Sequence, residues 1–204
     1  MAPAKPEART LDIPAIEIDT YRIRIVGLSP LCTHAWSAKA KREMLDKQMG
    51  KARNKKEHKD PQADYEAAFY RLPDGRAAFP TIAFKAAVVS AARQVEGLTM
   101  TFLRGAFHVV GDLVAIDGTP EMNEAMVRVG MGTADIRFRP LWQEWVVTLT
   151  ARVNRHAITI EQLVHLFNQA GFSVGVGEWR PEKNGSWGMF AVEGITRVGA
   201  EVTE

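Results

Sequence analysis

The sequence lacks the features that mark secreted scaffolds, membrane proteins and nucleotide-binding enzymes. Its 204 residues include one cysteine, Cys32, which excludes an internal disulfide and a zinc cluster built on several cysteines. No apolar run reaches the roughly 18 residues of a membrane-spanning helix. The polar start MAPAKPEART has no apolar core of a secretory signal, and neither a Walker loop nor a G-x-G-x-x-G fingerprint occurs. We therefore expect a protein of the bacterial cytoplasm with no metal, cofactor or membrane partner.

Positive charge is concentrated in one stretch, although the net charge of the whole chain is only +2. Residues 39–59 contain nine Lys or Arg against three Asp or Glu, a local net charge of +6, while the remainder has 17 basic and 21 acidic residues. Few large apolar residues interrupt this stretch, so we expect an exposed helix or mobile arm. Such clustering is typical of a nucleic-acid contact, and a solvated lysine-rich linker is the structural alternative.

Hydrophobic periodicity predicts the framework of one domain. Strict alternation predicts strands at Tyr21–Gly27 and Trp145–Val153, and a third is predicted over 102–116, with Gly105 and Gly111 at bends. Gly188–Ile195 alternates as a last strand, and Asp135–Arg139 alternates until Pro140 turns the chain. Between them, 121–129 has no clear pattern, and 69–79 forms a small hairpin around Pro73-Asp74-Gly75.

Two helices complete this framework. The first begins at Pro80-Thr81, buries Phe84 and Val88 and is capped by Gly97. In the second, Thr159 and Gln162 have capping-box spacing, and Gly171 ends the helix.

The order of these elements predicts an α+β fold. Without the insertions it is β-α-β-β-α-β, the ferredoxin-like unit, with an antiparallel sheet and two helices on one face. We expect a disordered arm over 1–18, a single domain over 19–197 with a basic insertion over 37–66, and a tail over 198–204. The first and third strands should be central neighbours, with Arg22, Arg24 and Arg152 on the helix-free face.

Residues 171–190, the glycine-rich segment, read GFSVGVGEWRPEKNGSWGMF and hold the most distinctive pattern in the chain. Five of the first eighteen residues are glycine, and Trp179, Arg180, Lys183 and Trp187 lie among them. Aromatic rings that stack on bases and cations that meet phosphates are the usual means of single-strand binding. The alternative is a glycine-rich turn region with two buried tryptophans.

Two of these motifs resemble the RAMP superfamily, the ferredoxin-like RNA binders that include CRISPR backbone subunits. Residues 79–93 (FPTIAFKAAVVSAAR) look like its I-P-G-S-S-L-K-G-A-L-R helix start, and GVGEWRPEKNGSWGMF is placed like its glycine-rich loop. Ile82 and Ala83 depart from the first motif, and no arginine precedes the last strand. The basic insertion resembles the projecting thumb or web of backbone subunits. The WRP-x-K-x-G-x-x-G pattern and small size also resemble phage-encoded proteins.

The resemblance implies a non-catalytic RNA- or DNA-binding protein that oligomerises as a filament. The basic insertion of one copy would cover nucleotides held by the next. The nucleic-acid-binding residues would be Lys39, Lys41, Arg42, Lys47, Lys51, Arg53, Lys55, Lys56, Lys85, Arg93, Trp179, Arg180, Lys183 and Trp187. Lys85 and Arg93 lie off the apolar stripe of their helix and face either a ligand or water.

Two other functions stay open. Trp179 and Trp187 could anchor a protein partner in an assembly or inhibitor protein. His34, close to Cys32, could serve a RAMP-type endoribonuclease, although a catalytic triad needs a third partner that the fold must place. We expect no catalytic residue.

Overall fold

The computed structural model describes residues 15–36, 38–51, 58–129 and 132–198. Residues 1–14 of the predicted arm, residues 199–204 of the predicted tail and the candidate residues Arg53, Lys55 and Lys56 lie outside these ranges. The elements run β1 (Ile18–Gly27), β2 (Leu31–Cys32), α1 (Ala38–Gln48), α2 (Pro61–Ala67), β3 (Tyr70–Arg71), β4 (Ala77–Pro80), α3 (Thr81–Ala91), α4 (Met100–Ala106), β5 (Phe107–Val109), β6 (Leu113–Ala115), β7 (Pro120–Val129), β8 (Thr133–Trp142), β9 (Val146–Asn154), α5 (Ile160–Ser173) and β10 (Phe190–Val198).

A four-stranded antiparallel sheet in the order β10-β1-β9-β5 forms the centre of the molecule. The sequence predicts β1 and β9 as neighbours, and the register pairs Ile23 with Leu149 and Ile25 with Val147. All four side chains are buried, because alternate residues of a strand point to the same face of its sheet. The inward-facing side chains of β1 and β9 therefore form one side of the hydrophobic core.

Helices α3 and α5 supply the other side of this core. Phe84 and Val88 of α3 and Leu163 and Phe167 of α5 are buried in the same cluster as the sheet residues. The predicted capping box is confirmed: Thr159 Oγ1 accepts a hydrogen bond from Gln162 N, and Thr159 N donates to the Gln162 side chain. These bonds satisfy orphan N–H groups and fix where α5 begins.

Both helices end where the sequence does not predict. A short 3₁₀ turn over residues 92–94 follows Ala91, so Gly97 lies beyond α3 and does not cap it. Helix α5 continues through Gly171 to Ser173, and the side of Gly171 that would carry a Cβ faces the Phe190 carbonyl of the neighbouring strand, which leaves no room for a larger residue. Gly171 is therefore a packing position rather than a stop signal.

The predicted strand over 102–116 is wrong in its first third. Residues 100–106 form α4, because Thr99 caps its N-terminus by accepting a hydrogen bond from Phe102 N. Leu103 and Ala106 then recur on the buried side at helical spacing, and Gly105 lies within the helix instead of at a bend. Strands β5 and β6 account for the rest of the segment, separated by a turn that contains Gly111.

Two smaller antiparallel sheets, β2-β8-β7 and β3-β4-β6, add to the central one. The β3–β4 turn at Pro73-Asp74-Gly75 is as predicted, whereas the long hairpin of β7 and β8 was predicted only in part. Pro140 does not turn the chain but pairs with Met122 inside β8. The predicted α+β class with antiparallel sheets is confirmed, and the described residues form three sheets where the sequence predicts one.

Candidate nucleic-acid interface

The glycine-rich segment folds back on itself between α5 and β10. Val176 N donates to Gly188 O (2.9 Å), Trp187 N to Trp179 O (3.0 Å), and Gly188 N to Pro30 O (2.7 Å). At Gly188 the backbone has φ +67°, and an added Cβ would collide with the Val176 carbonyl. Only glycine combines that conformation with so close a backbone approach. The segment's own folding therefore explains this glycine without a ligand.

The two tryptophans of this segment lie side by side near the surface, so the alternative of a glycine-rich turn region is wrong only in that it buries both of them. Their ring centroids are 6.0 Å apart at an interplanar angle of 40°. Trp179 is 62% exposed and Trp187 is half-buried. Trp179 also has a positive φ of 54°, which is uncommon for a bulky residue. One tryptophan face is thus available for stacking.

The cations of the segment differ in availability. Arg180 Nη2 lies 2.8 Å from Glu182 Oε2, and Arg180 Nη1 donates to Gly177 O at 3.2 Å. The Arg180 guanidinium lowers the pKa of the Glu182 carboxyl, so the pair stays ionised. Lys183 is exposed on the adjoining 3₁₀ turn. Arg180 is therefore committed to the fold in large part, whereas Lys183 faces solvent.

A groove of about 450 Å³, which we call the α3 groove, separates this segment from α3. It brings together residues far apart in the sequence. Its walls are His34, Tyr70, Phe79, Pro80, Ala83, Ala86, Ala87, Ser90, Arg93, Met100, Val174, Gly175, Val176, Gly177, Glu178, Arg180 and Glu182. Arg93 lies here with its Nε 3.1 Å from Met100 Sδ. The structure thus places two predicted cations, Arg93 and Arg180, in one groove.

Lys85 does not join that groove. Its Nζ donates to Arg104 O and lies 3.0 Å from His108 Nδ1, at the edge of the central sheet near β5. Partial burial lowers the pKa of Lys85. Lys85 therefore has a local structural environment and does not line the surface that contains Arg93.

The basic insertion projects away from the core at α1. Lys41, Arg42 and Lys47 are exposed on this helix, as are all of its described side chains except the half-buried Asp46. Lys51 Nζ lies 3.1 Å from Asp46 Oδ1, and Lys59 Nζ lies 2.6 Å from Asp135 Oδ1 of β8. Lys39 is in α1. The insertion is thus tied down near its C-terminal end, whereas α1 extends into solvent.

A second polar cluster lies at the end of the α3 groove, around His34. Its Nδ1 is 3.9 Å from Glu178 Oε1, and its Nε2 is 3.4 Å from Arg137 Nη1. Burial, followed by Arg139, lowers the pKa of His34, and Glu178 opposes these effects. The imidazole is therefore neutral near pH 7 and able to accept a proton.

Arg139 is the buried member of this cluster and was missed in the sequence. Its Nη1 lies 3.6 Å from Glu178 Oε2, and its Nε has no hydrogen-bond partner among the described residues. The alternation of DIRFR already places Arg137 and Arg139 on one face of a strand. Only the pairing of β2 with β8 brings that face to His34.

Cys32 takes no chemical part in this cluster. Burial raises the pKa of its thiol to about 12, which leaves it protonated at neutral pH. Its backbone carbonyl accepts a hydrogen bond from Glu178 N at 3.0 Å. The Cys32–His34 spacing therefore reflects packing and not a nucleophile with its base.

The helix-free face of the central sheet has further cations. Arg22 pairs in register with Thr150, and Arg24 with Thr148, as the sequence predicts. All three arginines are exposed, and Arg24 forms an ion pair with Glu193. This face is a polar sheet surface on which one of three arginines is neutralised.

Among the described residues, no group of three or more His, Cys, Asp or Glu side chains could hold a metal ion. Nor does any described helix have the length and apolar character needed to cross a membrane. Comparison of the chain with protein-family models and with curated proteins found no match.

Proposed function

We propose that this chain is a non-catalytic single-stranded nucleic-acid-binding protein that assembles along the strand. The observation that carries the proposal is the exposed cluster of Lys41, Arg42 and Lys47 on a helix that leaves the core. Exposed cations on one element neutralise phosphates and release counterions, which gives affinity without sequence readout. The exposed Trp179 ring and the α3 groove with Arg93 supply a second surface, suited to base stacking.

The proposed fold is ferredoxin-like and similar to the RAMP superfamily. The strand order β10-β1-β9-β5, with α3 and α5 packed on the same face, supports this assignment. The six core elements follow one another along the chain as β-α-β-β-α-β, and the basic insertion lies between the first two, β1 and α3. These elements are β1, α3, β5, β9, α5 and β10. The insertion then stands at the side of the domain where it can reach a neighbouring copy.

Charge reversal of α1 tests the proposal. A Lys41→Glu/Arg42→Glu/Lys47→Glu variant should lose most single-strand affinity, and its salt slope should fall by about 2, since each phosphate contact contributes about 0.7. A charge-matched control reverses exposed arginines elsewhere, Arg76, Arg104 and Arg155, and should bind nearly as tightly as wild type. Fluorescence anisotropy with a labelled strand at several salt concentrations measures both. Equal loss in the two variants would remove α1 from the binding surface.

The His34 cluster favours a second candidate function, cleavage of RNA. His34 Nε2 would take the proton of a 2′-hydroxyl as its oxygen attacks phosphorus, Arg137 would stabilise the charge on the phosphate, and a protonated group or water would supply the 5′-oxygen with its proton. The neutral imidazole beside Arg137 and Glu178 carries this candidate. Cleavage that persists after His34→Ala would rule it out.

The assembly or inhibitor alternative keeps one supporting observation, the exposed Trp179 ring. Exposed tryptophans are frequent anchors in protein interfaces. This alternative requires oligomers or complexes that form equally well without nucleic acid.

A further inference from the structure

Helix α1 and the turn that follows it present apolar side chains that the described residues leave exposed. Met44, Leu45 and Met49 are 45%, 54% and 57% exposed. Met49 N donates to Leu45 O, so these two residues occupy successive turns on one side of the helix. A helix of eleven residues is marginally stable alone in water, and most helical stability in proteins comes from packing an apolar face. The exposed apolar face therefore indicates a binding partner for α1.

A second groove, which we call the α5 groove, is a suitable receptor. It lies between α5 and the residues that connect α3 to α4, and its volume is about 560 Å³. Its apolar lining includes Val95, Leu98, Phe102, Ile158 and Leu166. Phe102 is 43% exposed although it belongs to a helix whose Leu103 and Ala106 are fully buried. The groove thus leaves a large aromatic side chain uncovered.

The two surfaces have opposite charge. Among the residues that line the α5 groove, Glu96 and Glu161 are acidic, none is Lys or Arg, and His165 is the remaining titratable side chain. Hydrogen bonds at the start of α5 lower the pKa of the Glu161 carboxyl and keep it ionised. The helix supplies Lys41, Arg42 and Lys47 beside its apolar residues.

We infer that α1 of one copy docks in the α5 groove of a second copy, with Leu45 and Met49 against Leu98 and Phe102. The partner is a second copy because the same fold exposes both surfaces, and neither covers the other within one chain. Two different patches that join in this way make a heterologous, head-to-tail contact, which propagates into a chain of subunits. This inference rests on the proposed function, since it names the subunit contact of assembly along the strand.

The contact is small and works together with the strand. One short helix in one groove falls at the low end of protein interface sizes, where binding is weak and transient. Neighbouring copies on a strand are held at high effective concentration, which raises the occupancy of such a contact without new interactions. Lys41 lies one turn before Leu45 and therefore beside the docked face, whereas Lys47, two residues from both Leu45 and Met49, is on the other side of the helix and remains free to meet phosphates.

Disulfide trapping tests the contact directly. Leu45→Cys and Leu98→Cys variants, one with a size tag, are mixed and oxidised on a ~40-nucleotide single strand. The mixed dimer should form about tenfold more than in a control in which Ile82→Cys, an exposed position on α3, replaces Leu98→Cys. The natural Cys32 is buried and does not compete. Trapping equal to that of the Ile82→Cys control would overturn the inference.

Charge-neutral variants distinguish failure of the contact from failure of nucleic-acid binding. Leu45→Gln/Met49→Gln and Phe102→Gln should each lower affinity for the ~40-nucleotide strand by about tenfold and leave a strand one subunit long bound within about twofold. A mixture of the two variants should restore pairs but not long chains, because each retains one intact surface. Unchanged long-strand affinity would contradict the contact. If the wild type did not bind the short strand, the proposed function would be contradicted. The contact between copies could then still be tested by disulfide trapping in the absence of a strand.

Discussion

The glycine-rich segment and helix α1 are built in opposite ways, although both carry sequence features typical of ligand binding. In the segment, backbone hydrogen bonds join Val176 to Gly188 and Trp179 to Trp187, and Arg180 is paired with Glu182. On α1, the described cations and apolar side chains face solvent. Glycine and arginine in the segment are therefore explained first by the fold, whereas the cations of α1 are exposed side chains, available to a phosphate ligand or to solvent alone. The comparison separates a segment that is held by its own backbone hydrogen bonds from a helix whose described side chains are mostly exposed.

The largest expected difference between the two regions is in the free energy of unfolding that is lost when a glycine is replaced by alanine. Gly188 (φ +67°) and Gly50 (φ +72°) have similar conformations, but only Gly188 has backbone atoms where a Cβ would be placed. Gly188→Ala should lower the free energy of unfolding by about 3 kcal/mol or more, since strain and steric overlap add. Gly50→Ala should cost only about 1 kcal/mol, because backbone strain acts there without steric overlap. Urea unfolding compares them, and equal costs would show that the segment is not the tighter region.

An intermediate effect is expected from Trp179, the exposed aromatic ring of the tryptophan pair. Trp179→Ala should weaken single-strand binding by about 1–3 kcal/mol, the usual contribution of a base stacked on an aromatic ring. Its free energy of unfolding should change by only about 0.5 kcal/mol, because the ring is exposed. Ile82→Ala, which removes a similarly exposed side chain without a ring, serves as the control. Unaltered affinity in Trp179→Ala would limit the binding surface to the insertion.

The smallest expected effect concerns pH and His34. Its folded pKa lies below its unfolded value of about 6.5, so its contribution is present above that pH and is lost as pH falls towards the folded pKa. Wild type should lose more stability between about pH 7 and pH 5 than His34→Gln, in which this group cannot titrate. Thermal unfolding across that range measures the difference. A steeper loss in the variant would mean that Glu178 outweighs burial and the two arginines.

Sequence patterns were sufficient where a structure is set by neighbours along the chain. Alternation located β1 and β9 and their buried faces, and the Thr159–Gln162 spacing located the start of α5. Strand β7 escaped because Glu, Asn and Met alternate there without a clear apolar face, and its structure depends on pairing with β8. Residues 102–106 have a pattern that predicts a strand, but they belong to helix α4, whose N-terminus Thr99 caps.

The candidate site was predictable in its parts but not in its arrangement. Lysine clustering in the insertion and the tryptophans of the segment are local signals that the sequence shows directly. The approach of His34, Arg139 and Glu178 depends on three separate elements and on the hydrogen bond from Glu178 N to Cys32 O. No spacing along the chain encodes such an arrangement. The same reasoning explains why Lys85, on α3, and Arg93, on the 3₁₀ turn that follows it, have unrelated surroundings.

Size-exclusion chromatography with light scattering tests the central claim most directly. The wild-type protein is run with and without a ~40-nucleotide single strand, as RNA and as DNA, at low and moderate salt. We predict assemblies of several copies that require the strand and dissociate as salt rises, with the preferred strand identifying the natural ligand. Monomers under all conditions, or assemblies of the same size without nucleic acid, would contradict the account.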